Sequence, residues 1–288
     1  MRVKVWGARG SVPSPGPETS RYGGNTSCVQ VTLSDGTSLV LDAGTGIRNL
    51  GLAVAPNGPR LNILLTHLHM DHIQGLMFFA PLFSQTAEIA IWGPAVPGEP
   101  LLDRIARYIS APLSPVEVSE LPCRLSGQEA PYSEWRIGPA SVRAAPVCHR
   151  GPTLGYRITE GDTSLCYLPD HEPRISSDSS CATPEWTSGI ELAEGASLLI
   201  HDCQYTDDEY SAHAGWGHSS LLHALAFARS AEAERLLLFH HDPMHNDAFL
   251  DRLHSTATAR WAEFGGPAGA VELATEHVEL ELGGPDQR

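Results

Sequence analysis

The sequence predicts an α/β fold in which two mixed β-sheets pack face to face with helices on their outer sides. Three observations carry that prediction. Short apolar runs of strand length recur along the chain, helical patterns follow them in both halves, and several of the runs end in a His or an Asp. The strands expected in the first half are Val3–Trp6, Cys28–Leu33, Ser38–Asp42, Asn62–Thr66 and Glu88–Trp92. The second half offers Ser141–Val147, Gly155–Thr159, Ser164–Leu168, Ser197–His201 and Arg235–Phe239. Helical spacing covers His72–Phe83, Leu101–Ile109, Ser219–Ala231 and Asp247–Phe264. No internal repeat is present. Ser11–Asn25 and Ser176–Gly189 are rich in Gly, Pro and Ser and read as loops, which in a compact domain are commonly functional. Pro94 to Pro139 is proline-punctuated and weakly patterned, and reads as an excursion from the core of one domain spanning residues 1–288.

Bulk properties narrow the function classes. A chain of 288 residues suffices for one large domain. No stretch reaches the ~20 apolar residues of a membrane helix, and Met1–Trp6 reads as a first strand, without the apolar core of a signal peptide. A formal net charge of −15 argues against broad attraction to nucleic acid or anionic membranes. Six scattered cysteines with no C-x-x-C pair read as reduced thiols of a cytoplasmic protein rather than a disulfide framework.

The most informative stretch is Thr66-His67-Leu68-His69-Met70-Asp71-His72, which follows the apolar run Leu61–Leu65. It places imidazoles and a carboxylate at the rim of a sheet, a donor set that suits zinc, manganese or iron. His67 and His69 lie two apart, so an extended segment points both the same way. Asp71 and His72 fall where the chain turns into a helix and face a neighbouring position. The same context recurs at His149, Asp170, Asp202 and His240, each just after an apolar strand. Taken singly, each reads more readily as a solvated or satisfied polar residue. Taken with the first motif, strand ends on one edge converge on one site with room for two metals. Asp42 is expected either to orient a ligand imidazole from behind or to form the turn before Gly44.

The order Asp42-Ala43-Gly44-Thr45-Gly46, then Thr66–His72, then His149, Asp170 and a late His240 resembles the metallo-β-lactamase superfamily. That resemblance implies an αββα sandwich with a dinuclear site on one edge. His67, His69 and His149 would hold the first metal and Asp71, His72 and His240 the second. Asp170 would bridge them, with a hydroxide between. Leu199-Ile200-His201-Asp202-Cys203-Gln204-Tyr205 and Gly215-Trp216-Gly217-His218-Ser219-Ser220 resemble the phosphodiesterase branch, which includes ribonuclease Z and small-molecule cyclic phosphate phosphodiesterases. In that branch an acidic residue after the strand pairs with the His of G-H-S. Asp202 and His218 match, with Asp where ribonuclease Z has Glu. Such a carboxylate would keep the imidazole protonated, to stabilise developing charge or protonate the leaving oxygen. Trp6–Pro13 and Tyr22–Cys28 resemble a bacterial and phage subgroup of cyclic-nucleotide phosphodiesterase-like proteins, among them the anti-Pycsar enzymes.

The expected function is therefore hydrolysis of a small cyclic phosphodiester, foremost a 3′,5′-cyclic nucleotide, by a homodimer with two divalent metals, zinc or else manganese. Asp71, Asp202 and His218 are the expected catalytic residues. Asn25, Arg21 and Trp216, with Arg9, are the expected substrate contacts. Neither a membrane nor a stable nucleic-acid partner is expected. A ribonuclease Z-like tRNA endonuclease is the first alternative, weakened by the scarcity of Lys and Arg in residues 94–139. A metal- and nucleotide-binding protein without turnover is the second.

Overall fold

A computed structural model describes residues 1–54, 60–173 and 187–283. Two seven-stranded sheets face each other. The first contains β1 (Arg2–Gly7), β2 (Cys28–Thr32), β3 (Ser38–Leu41), β4 (Leu61–Leu64), β5 (Glu88–Gly93), β6 (Arg124–Glu129) and β14 (Glu279–Glu281), in the order β14-β1-β2-β3-β4-β5-β6. The second contains β7 (Glu134–Ile137), β8 (Ala140–Pro146), β9 (Leu154–Glu160), β10 (Thr163–Leu168), β11 (Leu198–Asp202), β12 (Leu236–Phe239) and β13 (Val271–Leu273), in the order β13-β12-β11-β10-β9-β8-β7.

Each sheet carries helices on its outer side. On the first lie α1 (Ile47–Ala53), the single turn α2 (Met70–Ile73) and α3 (Leu101–Ala106); on the second lie α4 (Ile190–Ala193), α6 (Leu221–Ser230) and α7 (Asp247–Glu263). A further helix, α5 (Asp207–His213), has no buried residue. The central core lies between the sheets: Val5, Val31 and Leu41 meet Tyr156, Tyr167, Ile200 and Phe239, all at most 1 % exposed. The expected αββα layering is thus the observed one. α6 shows how sequence makes a layer. Leu221, Ala224, Leu225 and Ala228 recur at helical spacing and are buried, while the Ser220 hydroxyl caps the helix by accepting from the His223 amide.

The sheet centres position the site. Strands β3, β4 and β5 run parallel, as do β10, β11, β12 and β13. Strands β3, β4, β11 and β12 are buried at every position and mostly apolar, rather than alternating. Register puts Leu168 beside His201 and Asp202 beside Phe239, so Asp170, Asp202 and His240 emerge at one edge. The carboxyl ends of parallel strands are where open α/β sheets gather ligand groups.

Several sequence expectations change. The stretch from Pro94 to Pro139 is not an excursion; it contributes α3 and the edge strands β6 and β7. The helix expected over His72–Phe83 breaks into α2 and two 3-10 turns, Leu76–Phe78 and Ala80–Phe83. Gly75 explains the break, because a Cβ there would stand 2.0 Å from the Gly44 carbonyl oxygen. Of the loop expected over Ser176–Gly189, positions 176–186 lie outside the described residues. No described helix is long and apolar enough to cross a membrane.

Candidate metal centre

Two groups of ligand atoms meet at the strand ends. His67, His69, His149 and Asp170 form one, and Asp71, His72, Asp170 and His240 the other; within each, the ligand atoms lie within 4.8 Å of one another. Asp170 belongs to both. Its Oδ1 lies 3.0 Å from His72 Nε2 and 3.3 Å from His240 Nε2, and its Oδ2 lies 3.6 Å from His149 Nε2 and 3.7 Å from His67 Nε2.

The imidazoles are oriented from behind. The His72 Nδ1–H donates to Asp42 Oδ2 at 2.8 Å, the His149 Nδ1–H to the Gly217 carbonyl at 2.8 Å, and the His240 Nδ1–H to Gln204 Oε1 at 3.0 Å. His67 Nδ1 rests 3.0 Å from the Thr66 hydroxyl, which itself donates to Asp42. These partners fix one tautomer on each ring and turn the other nitrogen inward, the arrangement that supports metal-bound histidine. Inside the cluster, His67 Nε2, His72 Nε2 and Asp170 Oδ1 are buried without a hydrogen bond. Buried polar atoms are almost always satisfied. Orphans in both ligand groups are what cations would satisfy, so the residues fit two divalent ions.

Charge agrees with geometry. Burial opposes a charge on His72, but Asp170, Asp71 and Asp42 outweigh it and push its pKa well above the ordinary value. Burial, reinforced by positive His72, drives His67 the other way. Without metal, the carboxylates thus hold a proton where a cation belongs. Burial also opposes the charge of Asp71, and His72 and the His240 hydrogen bond overcome it to keep Asp71 ionised.

Asp202 and His218 form a third group that touches the second. The His218 Nδ1–H donates to Asp202 Oδ2 at 2.7 Å, and the His218 ring stacks on His240 at 4.9 Å and 16°. Burial opposes protonation of His218, but Asp202 lifts its pKa to about 9. Asp202 is held in turn by the amides of His171, Gln204 and Ser219 at 3.2, 2.9 and 3.1 Å.

Asp42 orients rather than merely turns the chain. Besides His72 it accepts from the Thr66 amide at 2.8 Å and from the Tyr167 hydroxyl at 3.1 Å, with φ at 59°. Two of the expected substrate contacts have partners within the chain. The Asn25 side chain donates to Glu276 at 2.9 Å, and the Arg21 guanidinium pairs with Asp251 at 2.6 and 3.0 Å, so both serve to pin the N-terminal loop to the C-terminal half. Arg9 is fully buried and donates to the carbonyls of Gly23, Asp242 and His245. Trp216 is 54 % exposed, on the loop next to His218.

Three supports escaped the sequence reading. The Ser11 amide donates to Asp71 Oδ2 at 2.7 Å. Gln204 holds His240. Glu172 accepts from the Gly215 and Gly217 amides at 2.8 Å each and from the Tyr210 hydroxyl, clasping the loop that serves both His149 and His218. No residue pattern announces the first. Gln204 sits in the Leu199–Tyr205 motif, two residues beyond Asp202, and Glu172 lies two residues beyond Asp170.

The profile of the β-lactamase superfamily domain matches residues 37–241. The chain belongs to the β-lactamase superfamily. Among curated relatives, ribonuclease Z of Mycobacterium sp. (strain KMS) is 29 % identical, over 90 % of this chain and 93 % of its own length. Among solved structures, human tRNase Z, short form, superposes with a TM-score of 0.66 at 22 % identity, covering 98 % of this chain and 99 % of that one. Unliganded yeast PDE1 gives a TM-score of 0.68 at 14 % identity, covering 97 % and 98 %. The family match and the two facing seven-stranded sheets bear out the metallo-β-lactamase fold.

Proposed function

We propose that the protein is a dinuclear metal-dependent phosphodiesterase that opens a small cyclic phosphodiester, foremost a 3′,5′-cyclic nucleotide, in the cytoplasm. Hydrolysis of phosphoester bonds with the help of divalent metal is the coarser part, supported by family membership, by the ribonuclease Z relatives and by the ligand groups. The observation that carries the reading is the Asp202–His218 pair packed against the second ligand group.

His67, His69 and His149 would hold one ion, Asp71, His72 and His240 the other, with Asp170 between them; zinc suits this donor set, and manganese next. When bound, two such ions would activate a water and offer positive charge to the phosphoryl oxygens. The chain's residues then act in the following way. Asp42, Thr66, Gln204 and the Gly217 carbonyl keep the ligand imidazoles aimed. Asp202 holds His218 protonated with its Nε2 free for the substrate, where it stabilises charge on the phosphoryl oxygens or passes its proton to the leaving oxygen. Trp216 keeps an exposed face beside His218 for a bound substrate. A homodimer remains part of this proposal.

A second reading, a ribonuclease Z-like endonuclease, is favoured by the names of the matching relatives. Against it stand the charge of −15 and residues 94–139, whose Arg107, Arg124 and Arg136 pair with Glu99, Glu88 and the Pro139 carbonyl within or beside the segment. The deciding experiment gives metal-reconstituted protein a panel of 3′,5′- and 2′,3′-cyclic nucleotides beside a precursor tRNA. Turnover of a cyclic nucleotide that Asp71→Ala and His218→Ala both abolish is the expected result. Cleavage of the tRNA alone would move the assignment to the second reading.

A further inference from the structure

A cleft of about 540 Å³ opens beside the first ligand group, between the residues after β4, the segment around α3 and the turn at Arg150–Pro152. His67 and His69 form part of its wall. A phosphodiester bound at this ligand group would therefore border the cleft.

On its other sides the described residues around that point are mostly buried. The second group is buried, with Asp71 6 % exposed and His72 and His240 0 % exposed. Ser11 and Gln204 cover it, the first bonded to Asp71 and the second to His240. His218, 9 % exposed, and Asp202 fill a third side. The larger substituent of a phosphodiester at the site has the cleft to enter.

The lining has a definite chemistry. Met70, Ile73, Val96, Leu113 and Pro152 supply apolar wall. Arg104, Arg107 and Arg150 stand around it with Glu99 as the acidic lining residue. Arg107 pairs with Glu99, so Arg104 and Arg150 are the lining charges left to draw an anion into this cleft of a chain of net charge −15. Arginine planes also stack on aromatic rings. The far wall is fixed: the Tyr108 hydroxyl donates to the Gln74 carbonyl at 2.6 Å, tying the end of α3 to α2. The volume falls in the ~300–1,000 Å³ range of small-ligand sites.

We propose that this cleft is the nucleoside subsite, with a flat base against Met70, Val96 and Leu113 and with Arg150 beside the phosphate, so that residues 94–113 set base preference. The proposal rests on the phosphodiesterase reading above, and it moves substrate recognition from Asn25 and Arg21 to the opposite flank of the site.

The test uses metal-loaded full chain and the variants Val96→Trp and Leu113→Trp, each of which adds bulk at a partly exposed wall position. Two quantities are read. The first is the ratio of kcat/KM for a 3′,5′-cyclic nucleotide to that for methyl 4-nitrophenyl phosphate, a diester without a nucleoside. The second is the Kd of a nucleoside 5′-monophosphate, measured by calorimetry. A misfit of this kind is worth ~10–200-fold, so the ratio should fall and the Kd rise by at least about tenfold. An unchanged ratio with an unchanged Kd overturns the proposal, as does a wild-type protein that hydrolyses the simple diester but binds no mononucleotide. Loss of structured-RNA cleavage in the variants, with mononucleotide binding intact, overturns it in favour of an RNA end. Wild-type protein that turns over neither diester sinks the phosphodiesterase reading instead. The calorimetric comparison then still decides the cleft: weaker binding in the variants upholds it and equal binding rejects it.

Discussion

The two halves of the candidate metal centre share Asp170 but are built differently. The second half is wholly buried, and Asp42, Gln204 and the Ser11 amide support His72, His240 and Asp71 from outside. The first half opens on the cleft. His69 is exposed, its Nδ1 lies 3.2 Å from His149 Nε2, and no outer partner holds its other nitrogen among the described residues. One half is a fixed cage, and the other is a rim that substrate reaches. A ligand group kept in place by second contacts loses little freedom on binding metal, whereas an exposed one must be ordered by the metal itself.

Predictions follow this contrast from the largest effect downward. Asp170→Ala removes the residue common to both halves, and metal analysis should find both ions lost and turnover with them; retention of either ion at full occupancy would show that Asp170 is not shared. His218→Ala should lower kcat by ~10²–10⁴-fold while metal content stays at the wild-type level. A fall in metal content there would make His218 a ligand instead of an acid.

Outer-partner changes should be graded. Asp42→Asn or Gln204→Leu should weaken one ion by ~10–100-fold, and chelator titration followed by elemental analysis should show the other unaffected by Gln204→Leu. In wild-type protein the same titration should strip the first-half ion first; simultaneous release would erase the proposed asymmetry. Gly10→Ala tests the cage sterically, since a Cβ there would stand 2.3 Å from His240 Nδ1.

The pH profile sharpens the role of Asp202. His218 is raised to about 9, so an acid role persists through neutral pH and fades as pH rises through that value. Asp202→Asn removes the carboxylate that holds the proton. The basic limb of kcat should then move down toward the ~6.5 of an ordinary histidine. An unmoved limb would assign it to another group. The smallest expected effect is Tyr167→Phe, which deletes one buried hydrogen bond to Asp42 and should cost about 1 kcal/mol in denaturant unfolding, with both ions retained.

The sequence reading succeeded where burial imposes a pattern. Strands β3, β4, β11 and β12 are buried end to end, so their apolar runs stood out. It failed where exposure removes the pattern. Strands β6 and β14 are exposed or half-exposed along their length, and β7 ends in its one buried residue, Ile137. Such edge strands are defined by the neighbour that supplies their hydrogen bonds. The missed helix α5 is different, because Thr206-Asp207-Asp208-Glu209 spells a capping box that forms in the structure.

By itself, the sequence determined the layered α/β class and pointed to the candidate ligand residues, because apolar runs must be buried and His and Asp follow their ends. Tertiary structure decided which of those residues come together, which nitrogen each presents, and which residues of the site stay exposed. Those outcomes depend on contacts such as Asp42 with Tyr167, Ser11 with Asp71 and Gln204 with His240, made by residues 125, 60 and 36 positions apart. Side chains that distant meet through sheet register and packing, which no local pattern encodes.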